Sequence, residues 1–366
     1  MDVTAQGAGT RRGAGVRILV TGHTGYIGTV LMPMLAARGH RITGCDTDIF
    51  LRCSFGNAPK LYSNFALDVR DLRSIHLAGF DAVIHLAGLS NDPLGDLDPK
   101  LTIAINAQAS FQLAVMARRA GVGRFVFSSS CSNYGAGGQE LLDEGSAQRP
   151  VTPYGHSKVL AEEWIGALAD HSFSPVFLRN ATVYGLSPRL RFDLVVNNLA
   201  AHAFADGRIF LKSDGTAWRP LVHVEDVCRA FIAAVEAPRD AVHGEVFNVG
   251  RTEENYRVRD VARIVGEEVP GATITFADGA DADARNYRVD CSKFAQRFPD
   301  VGFTWDVRAG VRQLLAAYAD NGVTSADFEG ARYQRIAHVR MLMKRGVLDS
   351  DLRVVRSRTF AEAATV

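Results

Sequence analysis

Short apolar runs alternate with helical patterns along the first half of the chain. The run at 17–21 ends in a glycine cluster, and a helical pattern then extends from Tyr26 to Arg38, where Gly39 predicts a C-terminal cap. Strands that are apolar throughout and separated by helices are typical of a parallel sheet covered on both faces. The pattern therefore predicts an α/β fold with a doubly wound parallel sheet and a ligand crevice at the carboxyl ends of its strands. Further apolar runs lie at 41–45, 82–86, 124–129 and 175–178, with helical stretches at 71–78, 101–120 and 154–169.

The alternation loosens after about residue 185, where loops and helices mix with short strands such as 273–276. Two later segments, 222–236 and 245–250, have the pattern of a return to the first sheet. We therefore expect a smaller, discontinuous α/β domain that forms the far wall of the crevice. The expected boundaries are 1–15 for a disordered leader, 16–186 plus 221–251 for the first domain, 187–220 plus 252–330 for the second, and 331–366 for a C-terminal helical extension and tail.

The C-terminal extension carries five cations among apolar residues at helical spacing. This pattern predicts an amphipathic helix that docks on the body of the protein or on a partner subunit. A helix lying on a membrane surface is the alternative. The cations are Arg332, Arg335, Arg340, Lys344 and Arg345.

Composition narrows the class of protein. The 366 residues are 47% hydrophobic with a net charge of +1, and a chain of this size can bury a core without a disulfide or metal. Interspersed charges argue against nucleic acid as a partner. Five cysteines without CxxC spacing favour reduced thiols over a zinc site. With no membrane-length apolar run and no secretory signal, we expect a cytoplasmic enzyme with no membrane partner.

A glycine-rich turn follows the first predicted strand and opens the first helix. In the sequence TGHTGYIG, Gly22 permits a tight turn, Gly25 allows the backbone to approach a pyrophosphate, and Gly28 allows close packing of helix on strand. Asp46 ends the second strand, where a carboxylate can accept hydrogen bonds from a ribose diol and would repel a 2′-phosphate. The motif predicts a dinucleotide site that prefers NAD to NADP.

Tyr154 and Lys158 share one face of a predicted helix, one turn apart. A free phenol has a pKa near 10, and a neighbouring ammonium, aided by a cationic nicotinamide ring, favours the phenolate. The strand upstream ends in FSSSCSNYG, where Ser130 can point into the crevice and hydrogen-bond the substrate oxygen that Tyr154 deprotonates. These residues predict acid–base chemistry beside the cofactor.

In order along the chain, these motifs resemble those of the extended short-chain dehydrogenase/reductase family, in its NAD-dependent nucleotide-sugar epimerase/dehydratase branch, of which UDP-galactose 4-epimerase is the nearest well-known type. The resemblance covers residues 16–317 and implies a Rossmann-type sheet, an NAD cofactor and a nucleotide-diphosphate sugar as substrate. It also implies the cofactor contacts, which are Gly22, Gly25, Tyr26, Ile27, Gly28, Asp46, Asp68, Val69, Leu86, Ala87, Gly88, Asn106, Ser128, Tyr154 and Lys158.

The same resemblance implies roles at the substrate end. Tyr154 is similar to the family's acid/base, Lys158 to its pKa-lowering and ribose-binding partner, and Ser130 to the hydroxyl that shares the transferred proton. Arginine suits phosphate because its planar fork binds two oxygens at once. The implied substrate ligands are Ser90, Ser130, Asn198, Arg219 and Arg285.

Departures from the family pattern bear on the reaction. Family 4,6-dehydratases place Asp and Glu directly after the catalytic hydroxyl residue, whereas this chain has Cys131 and Ser132. The thiol of Cys131 is either a small packed group at a strand end or a base that abstracts a proton next to a ketone. Thr182 stands where many relatives carry Asn, which affects sugar-binding details.

The leading hypothesis is a nucleotide-sugar epimerase acting at C4, with a transient 4-keto intermediate and hydride return from NADH. The alternatives are a 4-ketoreductase, a 4-oxidase, a non-standard dehydratase, or a 3/5-epimerase that uses Cys131. A non-catalytic NAD sensor on the same fold is a further hypothesis, which the intact set of Ser130, Tyr154 and Lys158 opposes. In relatives, helices matching 101–120 and 154–169 pair between subunits, so a homodimer is expected.

Overall fold

The computed structural model of the chain describes residues 15–277, 283 and 285–355. Residues 1–14 of the predicted leader and 356–366 of the predicted tail lie outside the described residues. The strands are β1 (Arg17–Thr21), β2 (Arg41–Asp46), β3 (Asn64–Ala66), β4 (Ala82–His85), β5 (Arg124–Ser130), β6 (Leu141–Leu142), β7 (Ser174–Asn180), β8 (Thr182–Tyr184), β9 (Arg208–Leu211), β10 (Trp218–His223), β11 (Val246–Val249), β12 (Asn255–Arg257), β13 (Thr273–Phe276) and β14 (Arg288–Val289).

Helices connect these strands, and about half of the long ones flank the large sheet. The helices are α1 (Gly28–Ala37), α2 (Asp92–Gly95), α3 (Pro99–Ile103), α4 (Ala109–Arg119), α5 (Pro153–Gly166), α6 (Val195–Asp206), α7 (Val224–Glu236), α8 (Arg239–Val242), α9 (Val258–Glu268), α10 (Ser292–Arg297), α11 (Val307–Asp320), α12 (Ser325–Glu329) and α13 (Arg335–Lys344).

Seven strands form one parallel sheet in the order β11-β7-β5-β4-β1-β2-β3. The central strands are apolar along their length because helices cover both faces, and β4 is buried at all four positions. The strand order reverses between β1 and β4, which opens a crevice at their carboxyl ends. The predicted Rossmann-type doubly wound fold is confirmed.

Several predicted elements differ in detail. The stretch 71–78 forms two short 3₁₀ turns, Val69–Asp71 and Ser74–Leu77, instead of a helix. The predicted helix 101–120 is interrupted by a π-helical segment, Ala104–Gln108, between α3 and α4. In the segment 222–236, α7 packs on the large sheet, whereas the backbone of Val222 pairs in β10 of a separate three-stranded sheet although its side chain joins the same core.

A second hydrophobic cluster lies away from the large sheet. It joins α6, β9, α9 and α11 through buried residues such as Leu199, Ile209 and Leu314, and it also includes Tyr184 and Leu221. This separate core supports the predicted second domain, whose boundaries stay a prediction. Within the part of the chain that is described, no helix combines the length and apolar character needed to cross a bilayer.

The C-terminal extension docks on the body of the protein, as one reading of its sequence predicted. Its helix α13 is shorter than the predicted pattern and ends at Lys344. A short antiparallel bridge then joins Leu348 and Val354. Buried Val339 and Leu342 pack with Leu94, so this segment covers one side of the crevice.

Candidate active site

A cleft of about 930 Å³ lies at the carboxyl ends of β1, β2, β4 and β5. Its size is at the upper end of the range for small-molecule sites. One half is lined by the glycine-rich turn and Asp46, and the other by residues from α6, β10 and the segment before β14. The cleft therefore has room for an extended ligand and a second molecule beside it.

The glycine-rich turn connects β1 to α1 without room for side chains. Gly22 has a φ of +74°, and a Cβ there would lie 2.7 Å from the backbone nitrogen of Ala87. A Cβ on Gly28 would overlap the carbonyl of Gly22. Gly25, Tyr26 and Ile27 line the cleft between them. The turn thus presents bare backbone at the start of a helix, which suits a pyrophosphate.

Two carboxylates line the half of the cleft that contains the glycine-rich turn. Asp46 lines the cleft at the end of β2, and its Oδ2 accepts a hydrogen bond from the backbone N–H of Thr24 (3.1 Å). Asp68 also lines the cleft beside Val69, and its carboxylate is held by Arg70 (Nη2–Oδ2 2.6 Å). The hydrogen bonds from Arg70 outweigh burial and lower the pKa of Asp68.

The segment after β4 forms the floor of the cleft. Leu86, Ala87 and Gly88 line it, as predicted. Asn106 does not: it is buried, its Oδ1 accepts from the N–H of Leu89 (2.8 Å), and its Nδ2 donates to Leu89 O (3.0 Å) and to Ser157 Oγ (3.1 Å). The prediction of direct cofactor contact by Asn106 is corrected, because both ends of its amide position this segment against α5.

Tyr154 lies in the first turn of α5, where Thr152 caps the helix by accepting from the N–H of Gly155 (3.2 Å). Its side chain is half-buried and lines the cleft, and its hydroxyl lies close to Ser130 at the end of β5. The local sequence explains this placement, because Pro at N1 starts the helix at the cleft wall.

Lys158 lies one turn further along α5 and is buried. Its Nζ donates to the carbonyl of Ser128 (2.8 Å) and lies 5.8 Å from the centre of the Tyr154 ring. Ser128 therefore holds the lysine through its backbone, while its Oγ accepts from Asn180 (3.1 Å). The predicted pairing of Tyr154 and Lys158 on one helical face is found in the structure.

The protein's own groups raise the pKa of Tyr154, whereas the predicted lowering also includes the charge of the nicotinamide ring and stays a prediction. Burial raises the pKa of Tyr154 to about 12, and the hydrogen bond with Ser130 opposes this only in part. Burial also lowers the pKa of Lys158 to about 8. The reason is that desolvation disfavours both charged forms more strongly than these neighbours favour them.

The lowered pKa of Lys158 predicts a pH-dependent stability. An unfolded lysine near 10.5 still binds its proton at pH 9, when the folded one near 8 has released it, so the unfolding free energy rises with pH in this window. We expect the wild type to gain stability relative to Lys158→Met between pH 8 and pH 10. Denaturant unfolding at several pH values measures this. Lys60→Met removes an exposed lysine as a control, and a pH-independent difference for Lys158→Met would contradict the prediction.

Cys131 is placed away from the reaction chemistry. It is buried behind the end of β5, does not line the cleft, and its Sγ donates to the carbonyl of Arg179 (3.1 Å). Burial raises the pKa of this thiol far above its ordinary value. The prediction of a catalytic thiolate is therefore corrected to a packed residue at a strand end. Ser132, the next residue but one after Ser130, does line the cleft.

The predicted phosphate-binding arginines converge at the far end of the cleft. Arg219 in β10 and Arg285 both contact Asp283 (2.7 Å in each case), and Arg285 also pairs with Asp92 at the start of α2. Together these charges raise the pKa of Arg285 and lower that of Asp283. Both arginines line the cleft and are held in place by carboxylates.

Ser90 and Asn198 also line the cleft. Ser90 Oγ accepts from Arg191 (3.1 Å), and Asn198 Nδ2 donates to the carbonyl of Phe192 (2.9 Å). The sequence analysis did not single out Arg191. This arginine is buried and pairs with Asp193 (2.9 Å), and its positive charge acts to lower the pKa of Tyr154. The available signal was an arginine two residues before an acidic residue, Arg191 and Asp193, in a predicted loop. The sequence analysis also did not identify Tyr287, or Arg335 of the C-terminal extension, as site residues, and both line the cleft.

These elements define a dinucleotide-binding site with a tyrosine–lysine pair beside it. The profile described as "NAD dependent epimerase/dehydratase family" matches residues 18–250, which is more than half of the chain. The chain belongs to this family, and it is an enzyme of the family with NAD as its cofactor. The bare glycine turn and the carboxylate of Asp46 fit that cofactor.

Curated relatives and solved structures agree with this assignment. The chain is 27% identical over 329 residues to a UDP-glucose 4-epimerase of Bacillus subtilis (strain 168), covering 82% of this chain and 94% of the relative. It is 30% identical over 249 residues to the UDP-glucose 4-epimerase of Mycolicibacterium smegmatis, covering 64% and 77%. Among solved structures, MoeE5 in complex with UDP-glucuronic acid and NAD is 27% identical with a TM-score of 0.70, covering 83% and 99%.

Proposed function

We propose that this enzyme is an NAD-dependent epimerase of a nucleotide-diphosphate sugar and that it inverts C4. The observation that carries the proposal is the pairing of Tyr154 and Ser130 at the cleft wall, with Lys158 one helical turn away. NAD⁺ when bound supplies a hydride acceptor and a positive charge. Relatives with the name UDP-glucose 4-epimerase make UDP-glucose the first substrate to test.

Proton transfer falls to Tyr154 in this proposal. Its phenol takes the proton of the sugar hydroxyl when the ketone forms and gives it back when the alcohol is restored. Because burial raises the pKa of Tyr154 to about 12, ionisation depends on positive charge close to the ring. Lys158 supplies one such charge, and Ser130 holds the hydroxyl at the cleft wall.

The carboxylates at the sugar end argue against dehydration of the usual kind. Asp92 and Asp283 pair with Arg285, and Asp193 pairs with Arg191. A dehydratase of the usual kind needs a carboxyl group that donates a proton to the leaving water, and each of these carboxylates is already paired with an arginine. The residues that follow Ser130 offer a buried thiol and a hydroxyl instead.

Isotope labelling tests the proposal. The enzyme is incubated with UDP-, dTDP-, GDP- and CDP-sugars in heavy water, and the products are examined by NMR. We expect one sugar with inverted C4 that carries no solvent deuterium at that carbon. Deuterium at C3 or C5 would indicate enolisation, and net consumption of added NADH would indicate a ketoreductase. Either result would overturn the C4 proposal.

We also propose that two copies of the chain associate through α4 and α5. Phe111 and Trp164, one from each helix, meet edge to face at 6.1 Å between ring centres, and both are only half-buried. Leu160 is a further partly exposed apolar residue on α5. Such a contiguous apolar face is typical of an interface between subunits.

Light scattering tests the association. We expect a mass of twice 39.7 kDa for the wild type and a shift to the single-chain mass for Trp164→Glu, because a carboxylate at the centre of the interface would lose its water. Glu163→Gln changes an exposed neighbour on the same helix and should leave the mass unchanged. A single-chain mass for the wild type at micromolar concentration would contradict the proposal.

A further inference from the structure

Residues 331–355, which we call the C-terminal arm, form one wall of the cleft. Val339 and Leu342 of α13 pack with Leu94 and Ile105, and partly buried Phe50 joins the same cluster. Five arm residues line the cleft that the glycine-rich turn lines from the other side. They are Gln334, Arg335, Ile336, Val339 and Leu352.

The end of the arm is tied to the turn after β3. Arg70, which holds the cofactor-half carboxylate Asp68, also donates from Nη1 to the carbonyl of Asp351 (2.8 Å). Arg353 in turn pairs with Asp71 (2.7 Å). These contacts and the apolar cluster fix the arm over the cofactor half of the cleft, away from Arg219 at the other end.

Arg335 is the one arm residue that brings a positive charge into this wall. Its side chain is 2% exposed, and it makes no ion pair with any residue that the structure describes. Its Nη2 donates to the carbonyl of Arg189 (3.2 Å), whereas its Nη1 is buried without a hydrogen-bond partner among the described residues. Burial lowers its pKa to about 10, which leaves it charged at neutral pH.

The residues around Arg335 place it beside the glycine-rich turn. Arg189, to whose carbonyl it donates, itself donates from Nε to the carbonyl of Thr24 (3.0 Å) within that turn. Ser187 donates from Oγ to the carbonyl of Tyr26 (2.7 Å). A short chain of hydrogen bonds therefore leads from the turn to Arg335.

A purely structural role accounts for only part of this arrangement. The guanidinium lies 4.1 Å from the centre of the Phe50 ring, and its Nη2 donates a hydrogen bond to the carbonyl of Arg189. A buried cation that makes no ion pair, with Asp193 acting on it only at longer range, and that keeps an unused donor is unfavourable. An anion in the cleft would satisfy both the charge and the free Nη1.

We propose that Arg335 binds the diphosphate of the cofactor from the side opposite the glycine-rich turn, so that the C-terminal arm completes the cofactor site. The turn supplies backbone N–H groups and a helix N-terminus, and the arm supplies the full positive charge that the turn lacks. The inference depends on NAD being the cofactor and is independent of which carbon the enzyme inverts.

Titration calorimetry of the full chain with NAD⁺ and, separately, with UDP tests this assignment. Arg335→Met removes the charge, and Arg335→Gln removes it while keeping a donor for the carbonyl of Arg189. We expect the dissociation constant for NAD⁺ to rise roughly tenfold or more in both variants, because a charge-assisted hydrogen bond is lost. The dissociation constant for UDP should stay within about twofold of the wild-type value. UDP also carries a diphosphate, but it is expected to bind at the Arg219 end of the cleft, away from Arg335.

Arg340→Met is the matched control, since it removes an exposed arginine from the same helix. Thermal unfolding without ligand is measured for each variant. Unchanged NAD⁺ affinity in Arg335→Gln would overturn the proposal. A loss of UDP affinity as large as the loss of NAD⁺ affinity would also overturn it. A lowered unfolding temperature with wild-type NAD⁺ affinity would show that Arg335 is structural only. None of these measurements depends on turnover, so a negative epimerase assay would not change how they are interpreted.

Discussion

Tyr154→Phe is expected to lower kcat by roughly 10²–10⁴-fold, because the variant keeps the ring in the cleft and loses the group that exchanges the substrate proton. The hydroxyl lies at the cleft wall with Ser130, and its removal leaves the glycine-rich turn untouched. The dissociation constant for NAD⁺ should therefore stay within about threefold of the wild type. Steady-state kinetics with the substrate identified by NMR, together with calorimetry, measures both quantities.

Tyr287→Phe is the control for this result. Tyr287 is a buried phenol that lines the same cleft, and its hydroxyl lies near Ser132 instead of Ser130. We expect it to reduce kcat by about tenfold at most. Wild-type turnover in Tyr154→Phe would remove this residue from the chemistry and would favour a sensing role for the bound cofactor.

Arg179→Met is expected to destabilise the protein by about 3–5 kcal/mol, because it leaves the carboxylate of Glu162 buried without its counter-charge. Arg179 in β7 and Glu162 in α5 are both buried and pair at 2.7 Å. Glu162 also accepts from Ser129 Oγ and from Asn133 Nδ2 (3.0 Å) at the end of β5. The pair thus supports the strand end that carries Ser130.

Denaturant unfolding measures this loss. Arg38→Met breaks an ion pair with Glu236 in which the arginine is largely exposed, and it should change the unfolding free energy by about 1 kcal/mol or less. A similarly small effect for Arg179→Met would mean that Glu162 retains enough hydrogen bonds to keep its charge without the arginine.

The residues of the catalytic wall were predictable because they are close in sequence. Tyr154 and Lys158 occupy one face of α5 through helical spacing alone, and the strand end at Ser130 follows from a break in the apolar run. The electrostatic balance was not predictable. It depends on how far the surrounding chain keeps water from both side chains, and among the protein's own groups this burial raises the pKa of Tyr154.

Cys131 and Asn106 show the same limit. Both are neighbours in sequence of residues that line the cleft. The thiol of Cys131 nevertheless donates to the carbonyl of Arg179, and the amide of Asn106 hydrogen-bonds Leu89 and Ser157. Neither residue lies in a strand: Cys131 begins the 3₁₀ turn after β5, and Asn106 lies in the π-helical segment between α3 and α4. Which of their neighbours faces the cleft depends on how the surrounding strands and helices pack.

By itself, the sequence determined the doubly wound sheet, the glycine-rich turn, the NAD preference expected of Asp46 and the Tyr154–Lys158 pair. Each follows from local backbone requirements or from the spacing of residues within one element. Only the tertiary structure decided the ion pair between Asp92 and Arg285 and the placement of Arg335 beside the glycine-rich turn. These contacts join residues between 146 and 193 positions apart, and packing of the apolar surfaces, which carries no short-range signature, brings them together.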